Sequence, residues 1–191
     1  MSQYYFLVAS LPLLNYEQRD AIEPSDFLEL LADHLTGSDF RLVASATIDP
    51  PQEELSSPNP TLQAWIAYER GLRNALVRLR AGRRSVEPGH YLRSDERGDH
   101  GDGSAYITDA AREAMGHESP LSGEDALDRA RWFSLDELEV GHYFDLDRIA
   151  IHYLRLQILA RRRRFDRREG EARFRRISEQ IMNDYYQEQS E

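Results

Sequence analysis

DLDRIAIHYLRLQILARRRR, residues 145–164, is the stretch that decides the fold. Ile149, Ala150, Ile151, Tyr153, Leu154, Leu156, Ile158, Leu159 and Ala160 make it apolar nearly all round. A helix with apolar residues on every face sits at the centre of a protein, because no face is left for water. Its four terminal arginines suit the negative end of the helix dipole. A central helix needs others to cover it, and the chain supplies them on both sides.

Residues 25–35 start with Ser25 and Asp26, which can cap a helix, and continue through Phe27, Leu28, Leu30, Leu31 and Leu35. From about Thr61 to Gly82, Leu62, Trp65, Ile66, Leu72, Leu76 and Leu79 share one stripe, with Glu69, Arg73 and Arg80 off it. Trp65 and Trp132 are therefore expected to be buried. Ala105 to Met115 is a further helix. Ser122 with Asp125, and Ser134 with Glu137, have capping-box spacing and predict two helix starts. Glu171 to Gln187 carries Phe174, Ile177, Ile181 and Tyr185 at helical spacing. Strand signals are few; Phe40 to Ile48 reads either as a short strand or as an irregular crossing segment.

The fold class is therefore all-α. We expect a helical bundle of two related lobes with a short irregular or strand-like N-terminal segment. The lobes span 1–82 and 105–191, and 83–104, rich in Gly, Asp, Arg and His, is a loop or hinge between them; one continuous domain is the alternative. Pro50, Pro51, Pro58 and Pro60 make 49–60 a loop.

Met1 to Pro12 carries no charge, yet it lacks the basic leader and long apolar run of a secretory signal, and Pro12 and Asn15 interrupt it. It is expected to belong to the mature fold and to enter the core from its first turn. No window approaches the roughly 18 apolar residues of a membrane span. Cysteine is absent from the 191 residues, which excludes disulfides, thiolate metal sites and a cysteine nucleophile. These features fit a cytoplasmic protein.

The net charge is -10, and every one of the 24 basic residues is arginine. Genomic base composition is the plainer explanation of the missing lysine. The distribution of charge says more. Arg155 to Arg176 holds ten arginines against Asp166, Glu169 and Glu171, a local +7, while the rest of the chain carries -17. Arg161, Arg162, Arg163, Arg164, Arg167 and Arg168 are the candidate partner-binding residues, against the plainer reading of a solvated helix end. A chain this acidic repels phosphates in bulk, so an acidic protein partner is favoured over nucleic acid.

Catalytic patterns are missing. There is no phosphate-binding Gly loop ending in Lys, no dinucleotide fingerprint and no Gly-x-Ser-x-Gly elbow. His90, Asp99, His100 and Asp102 crowd one Gly-rich segment without metal-site spacing, which predicts a solvated loop. His117-Glu118 lacks the second histidine of a zinc protease motif. His142 reads as a turn residue, and His152 as a core histidine bonded to a neighbour. Glu53-Glu54 and Asp136-Glu137 sit in loops and helix starts. No catalytic, cofactor or metal residues are assigned, and no enzyme activity is expected.

The opening Tyr4-Tyr5-Phe6-Leu7-Val8-Ala9-Ser10-Leu11-Pro12 resembles the start of a bacterial family of uncharacterised proteins encoded within V-type ATPase operons. Trp65, Tyr68, Glu69, Leu72, Arg73, Asn74 and Leu76, then Arg80-Ala81, resemble its central helix. Pro120-Leu121 with Glu124 and Trp132 resembles its next signature. Phe144-Asp145, Tyr153, Leu156 and Ile158-Leu159 resemble the last. The family is regarded as the counterpart of the rotary ATPase's C-type component, called d in the eukaryotic enzyme. That component is longer, with three helical lobes, whereas this chain has room for two. Tyr68-Glu69-Arg70 against Tyr153-Leu154-Arg155 is its only, faint, internal repetition.

The resemblance implies a mechanical part: a non-catalytic component or assembly partner of a V/A-type rotary ATPase, between the central-stalk subunits and the proteolipid ring. It implies a cytoplasmic location, peripheral on the membrane through partners. The other reading is a soluble helical adaptor or regulator that binds an acidic protein or nucleic acid through its Arg-rich end.

Overall fold

The computed structural model describes residues 4–50, 57–94 and 104–165. Among them are seven helices: α1 (Tyr5–Ser10), α2 (Pro24–Ala32), α3 (Gly37–Ser45), α4 (Pro60–Arg84), α5 (Ala105–Gly116), α6 (Pro120–Leu138) and α7 (Leu146–Arg164). A 3-10 turn covers Gly89–Tyr91, and no strand occurs among the described residues. The chain is an all-α helical bundle. The expected helix from Glu171 to Gln187 lies outside the described residues, as do Glu53, Glu54, Asp99, His100, Asp102, Arg167 and Arg168.

α7 is the central helix. Every residue from Ile149 to Leu156 is buried, and so are Ile158, Leu159 and Ala160. α2, α3, α4 and α6 pack around it. Two apolar clusters form the core. One takes α7 together with Val8, Phe27, Leu31, Val43, Trp65, Trp132 and Leu135. The other joins Leu72 and Leu76 of α4 to Ile107, Ala110 and Ala111 of α5 and Leu127 and Ala130 of α6. Each cluster draws residues from both sides of segment 83–104. Both tryptophans are buried as expected, Trp65 at 1% exposure with its indole N–H donating to the Thr47 carbonyl at 2.9 Å.

Several local expectations are corrected. Gly37–Ser45 is helical, not a strand or crossing segment: the Thr36 hydroxyl accepts from the Asp39 N–H, a start signal just upstream of Phe40. The N-terminal segment is the helix α1 rather than a strand-like piece, and it is shallow. Only Val8 within it is buried, while Phe6 is 83% exposed. The two starts at Ser122 and Ser134 are positions inside the single helix α6, which begins at Pro120, a residue whose fixed φ suits a first turn. Nothing between Trp132 and Ser134 breaks that helix. Nor does Gly82 stop α4, which runs to Arg84 and ends at Ser85 in the left-handed conformation.

Two details hold the helices in register. Gly123 lies where α6 crosses α5, and a Cβ there would come within 2.7 Å of the Ala114 carbonyl oxygen. The Asn74 amide clamps the segment after α4, donating to the Arg93 carbonyl at 2.7 Å and accepting from the Arg93 N–H at 2.8 Å.

Candidate functional site

The most buried charges lie at the crossing of α4 and α6. Glu69, fully enclosed, was expected on the polar side of its helix. It accepts from Arg131 Nε at 2.7 Å and from Nη2 at 3.3 Å. Arg131 Nη1 donates to Asp128 at 2.8 Å, so one guanidinium fork joins two carboxylates. Arg73 and Arg161 stand at 3.7 and 3.6 Å from Glu69 and Asp128. Burial pushes the Asp128 carboxyl up against the pull of Arg131; burial also opposes the Arg131 charge, but Glu69 and Asp128 together outweigh it and hold the guanidinium further toward its charged form. This cluster ties helices together, with Asp128 at its edge. Sequence reasoning missed it because Glu69 and Arg131 are 62 positions apart. Only the i, i+3 spacing of Asp128 and Arg131 was legible.

The Arg-rich end of α7 is largely spent within the molecule. Arg161 pairs with Glu124. Arg162 donates to Asp125 at 3.1 Å and to the Tyr16 carbonyl, and its guanidinium lies 3.8 Å from the centre of the Tyr16 ring. Arg163 donates to the Ala21 carbonyl at 2.5 Å and to Glu23 at 2.6 Å. These residues strap the 16–23 segment and the first half of α6 to the central helix. Arg164 is exposed. Beside them runs an open groove of about 730 Å³ whose wall mixes Glu17, Glu113, Glu124, Asp125 and Asp128 with Arg19, Arg129, Arg162 and Arg163. Most of these charges are already engaged with one another, so the groove shows no preference for an anion.

His152 is buried as expected, but its Nε2 has no hydrogen-bond partner. It packs on Phe27, ring centres 5.1 Å apart. Burial, with Arg148 and Arg155 adding to it, pulls the imidazole down to about 4, so it is neutral at physiological pH. Enclosed among helices, it reaches no surface on which to act.

At the other end of α7, the turn after α6 brings His142, Asp145 and Asp147 together. The His142 Nδ1 lies 2.7 Å from Asp145 and 3.8 Å from Asp147. Asp145 caps α7 by accepting from the Arg148 N–H, and Asp147 accepts from Asn59, the N-cap of α4. The two carboxylates thus sit at two converging helix N-termini, where the positive dipole ends favour them, and His142 bonds to Asp145 from the side. His142 is the turn residue the sequence suggested.

Around this turn several aromatic residues are exposed. Tyr5 and Phe6 of α1 meet edge to face at 5.5 Å, and Tyr5 packs on Phe144 at 4.6 Å. Tyr143 and Val140 are 72% and 79% exposed. They border a cleft of about 510 Å³ that includes Asp136, Glu139, His142 and Arg148. Beneath it Arg155 donates to both oxygens of Glu139 at 2.9 Å and also binds Asp136, while its guanidinium lies 5.3 Å from the Trp132 ring centre. Arg148 pairs with Glu139 as well.

Residues 99–185 match the family model described as Protein of unknown function (DUF2764). That span takes in α5, α6 and α7, hence the His142 turn and the Arg-rich end. No curated protein and no solved structure matches the chain. Among the described residues no helix is long and apolar enough to cross a membrane.

Proposed function

We propose that this protein is a non-catalytic component or assembly partner of a V/A-type rotary ATPase, similar to its C-type component and linking central-stalk subunits to the proteolipid ring. What carries the reading is the ordered resemblance from Tyr4 to Leu159. Tyr5, Phe6, Leu121 and Phe144 among its landmarks are exposed, but others lie in the core. Trp65, Glu69, Leu72, Asn74, Trp132, Tyr153, Leu156 and Ile158 are all buried and include members of the charge cluster and the Asn74 clamp. A likeness held in such positions concerns the framework of a rigid body, which is what transmission of torque requires.

The adaptor reading rested on the Arg-rich end. It loses support because Arg161, Arg162 and Arg163 are engaged by Glu124, Asp125, Glu23 and backbone carbonyls. On the rotary-ATPase reading the protein is held peripherally on the cytoplasmic face of the membrane by its partners.

The test is affinity capture of a tagged full-length chain from gently solubilised membranes. Central-stalk and proteolipid-ring subunits are the expected companions. Recovery of a soluble complex lacking every rotary-ATPase component would overturn the assignment.

A further inference from the structure

We propose that the groove beside the end of α7 is the docking site of the chain's own segment 171–187, which lies along it as a helix and completes the bundle. The proposal goes beyond the rotary-ATPase reading and does not depend on it, since it concerns this chain alone.

The first observation is where the chain leaves α7. The helix ends at Arg164, and Phe165, its C-cap, is itself part of the groove wall and 45% exposed. Residues 166–170 reach at most roughly 18 Å when fully extended, so Glu171 starts within that distance of the groove. A flexible tether this short holds the segment at an effective concentration on the order of millimolar. A separate partner starts at a disadvantage to it.

The second is what the segment carries. Phe174, Ile177, Ile181 and Tyr185 follow one another at steps of three, four and four residues. At about 100° per residue they fall within an arc of roughly 80°, a single narrow stripe. Most residues between them are polar, among them Arg175, Arg176, Glu179, Gln180 and Asp184. A lone helix of this length has little stability in water and gains it by packing its apolar face.

The third is the surface the groove offers. Leu159 and Ala126 line it, and Leu121 and Phe165 stand at its rim, Leu121 39% exposed. At about 730 Å³ it takes apolar anchors from a helix laid along it, the geometry of helix-in-groove recognition. The charges of its wall are nearly balanced and mostly paired, so the tether and the stripe choose the occupant, not the charge. The matched family span, 99–185, runs without a break from the helices that wall the groove to Tyr185, the last residue of the stripe. Groove and segment belong to one family unit.

The chain has no cysteine, so a pair of introduced thiols is unique. Ser122→Cys places one at an exposed position of the groove wall, and Ser178→Cys places the other beside the stripe. A short bismaleimide should link this pair within one full-length chain about tenfold faster, or more, than it links Val140→Cys/Ser178→Cys. Val140 is 79% exposed and lies before the start of α7, a helix about 28 Å long at 1.5 Å per residue. Adding Ile177→Asp/Ile181→Asp removes the stripe but keeps the tether, and should slow the first reaction about tenfold. Leu121→Asp, on the groove side, should slow it likewise. Fluorescence of Trp65 and Trp132, both buried and outside the groove wall, checks that the core is kept. Equal rates for the two cysteine pairs would overturn the proposal. So would a rate indifferent to both sets of Asp changes, which would leave the tether alone as the cause. Links formed between two chains would overturn it too, by making a second copy's segment the occupant. None of these readings depends on which proteins affinity capture recovers.

Discussion

Replacing Arg131 by Met probes the charge cluster that ties α4 to α6. The change removes a guanidinium 5% exposed and leaves Glu69 and Asp128, at 0% and 1%, without their shortest partner. Breaking a buried pair in this way costs about 3–5 kcal/mol, since a charge remains in a poorly solvated place. Arg73 at 3.7 Å and Arg161 at 3.6 Å remain to offset part of it, so we expect the lower end, about 3 kcal/mol. For a chain of this length that lowers Tm by roughly 6–12 °C. The effect has a pH signature. Burial already holds the Asp128 carboxyl above its unfolded value, and removing Arg131 takes away the pull that opposes it. A group raised in this way stabilises the fold at low pH and loses that contribution as pH rises through its folded pKa. The deficit relative to wild type should therefore shrink from pH 8 to pH 5. Guanidinium unfolding followed by circular dichroism at both pH values measures it. The triple change Glu69→Leu/Asp128→Leu/Arg131→Met should recover most of the loss, because an apolar core of similar volume leaves no charge unpaired. A deficit below about 1 kcal/mol, or one constant with pH, would refute the reasoning.

Further outcomes follow from burial and geometry. Trp65→Ala should cost about 3–5 kcal/mol in the same unfolding assay, through the cavity it opens and the lost bond to the Thr47 carbonyl. His152 is neutral in the folded protein down to about pH 4 but titrates near 6.5 when unfolded. Its contribution is full above about pH 6.5 and is lost as pH falls toward 4, up to about 3 kcal/mol. His152→Leu should flatten that part of the stability profile, and an unchanged slope would count against it. Gly123→Ala should destabilise by about 1–3 kcal/mol by pushing α6 off the Ala114 carbonyl. Gly82→Ala, with open space around its Cβ position, should stabilise by about 0.4–1 kcal/mol, and equal thermal shifts in the two variants would contradict the α5–α6 close approach.

What the sequence determined by itself is the list of helices with strong, uninterrupted apolar periodicity. Ile149 to Ala160 could only be a central helix, and Leu62 to Leu79 only a helix with one buried face, because periodicity is a local property that each segment carries in its own residues. Boundaries were legible where a cap or proline stood beside the apolar run, and misread where one lay outside the window, as Thr36 and Asp39 did for α3. The depth of α1 was not legible: an uncharged segment looks like core, yet Phe6 faces outward, since exposure depends on what else arrives to cover it. Charge showed the same divide. A run of arginines reads as a surface feature, but its pairing with Glu124, Asp125 and Glu23 needed α6 and the 16–23 segment folded against α7. Glu69 looked like a polar-face residue until Arg131 came within 2.7 Å of it across 62 positions. The contact of Tyr5 with Phe144 is likewise made only when α1 meets the turn before α7. Helix propensity is written along the chain, whereas partners, burial and surfaces are set by which helices meet, and that is decided only when the core closes.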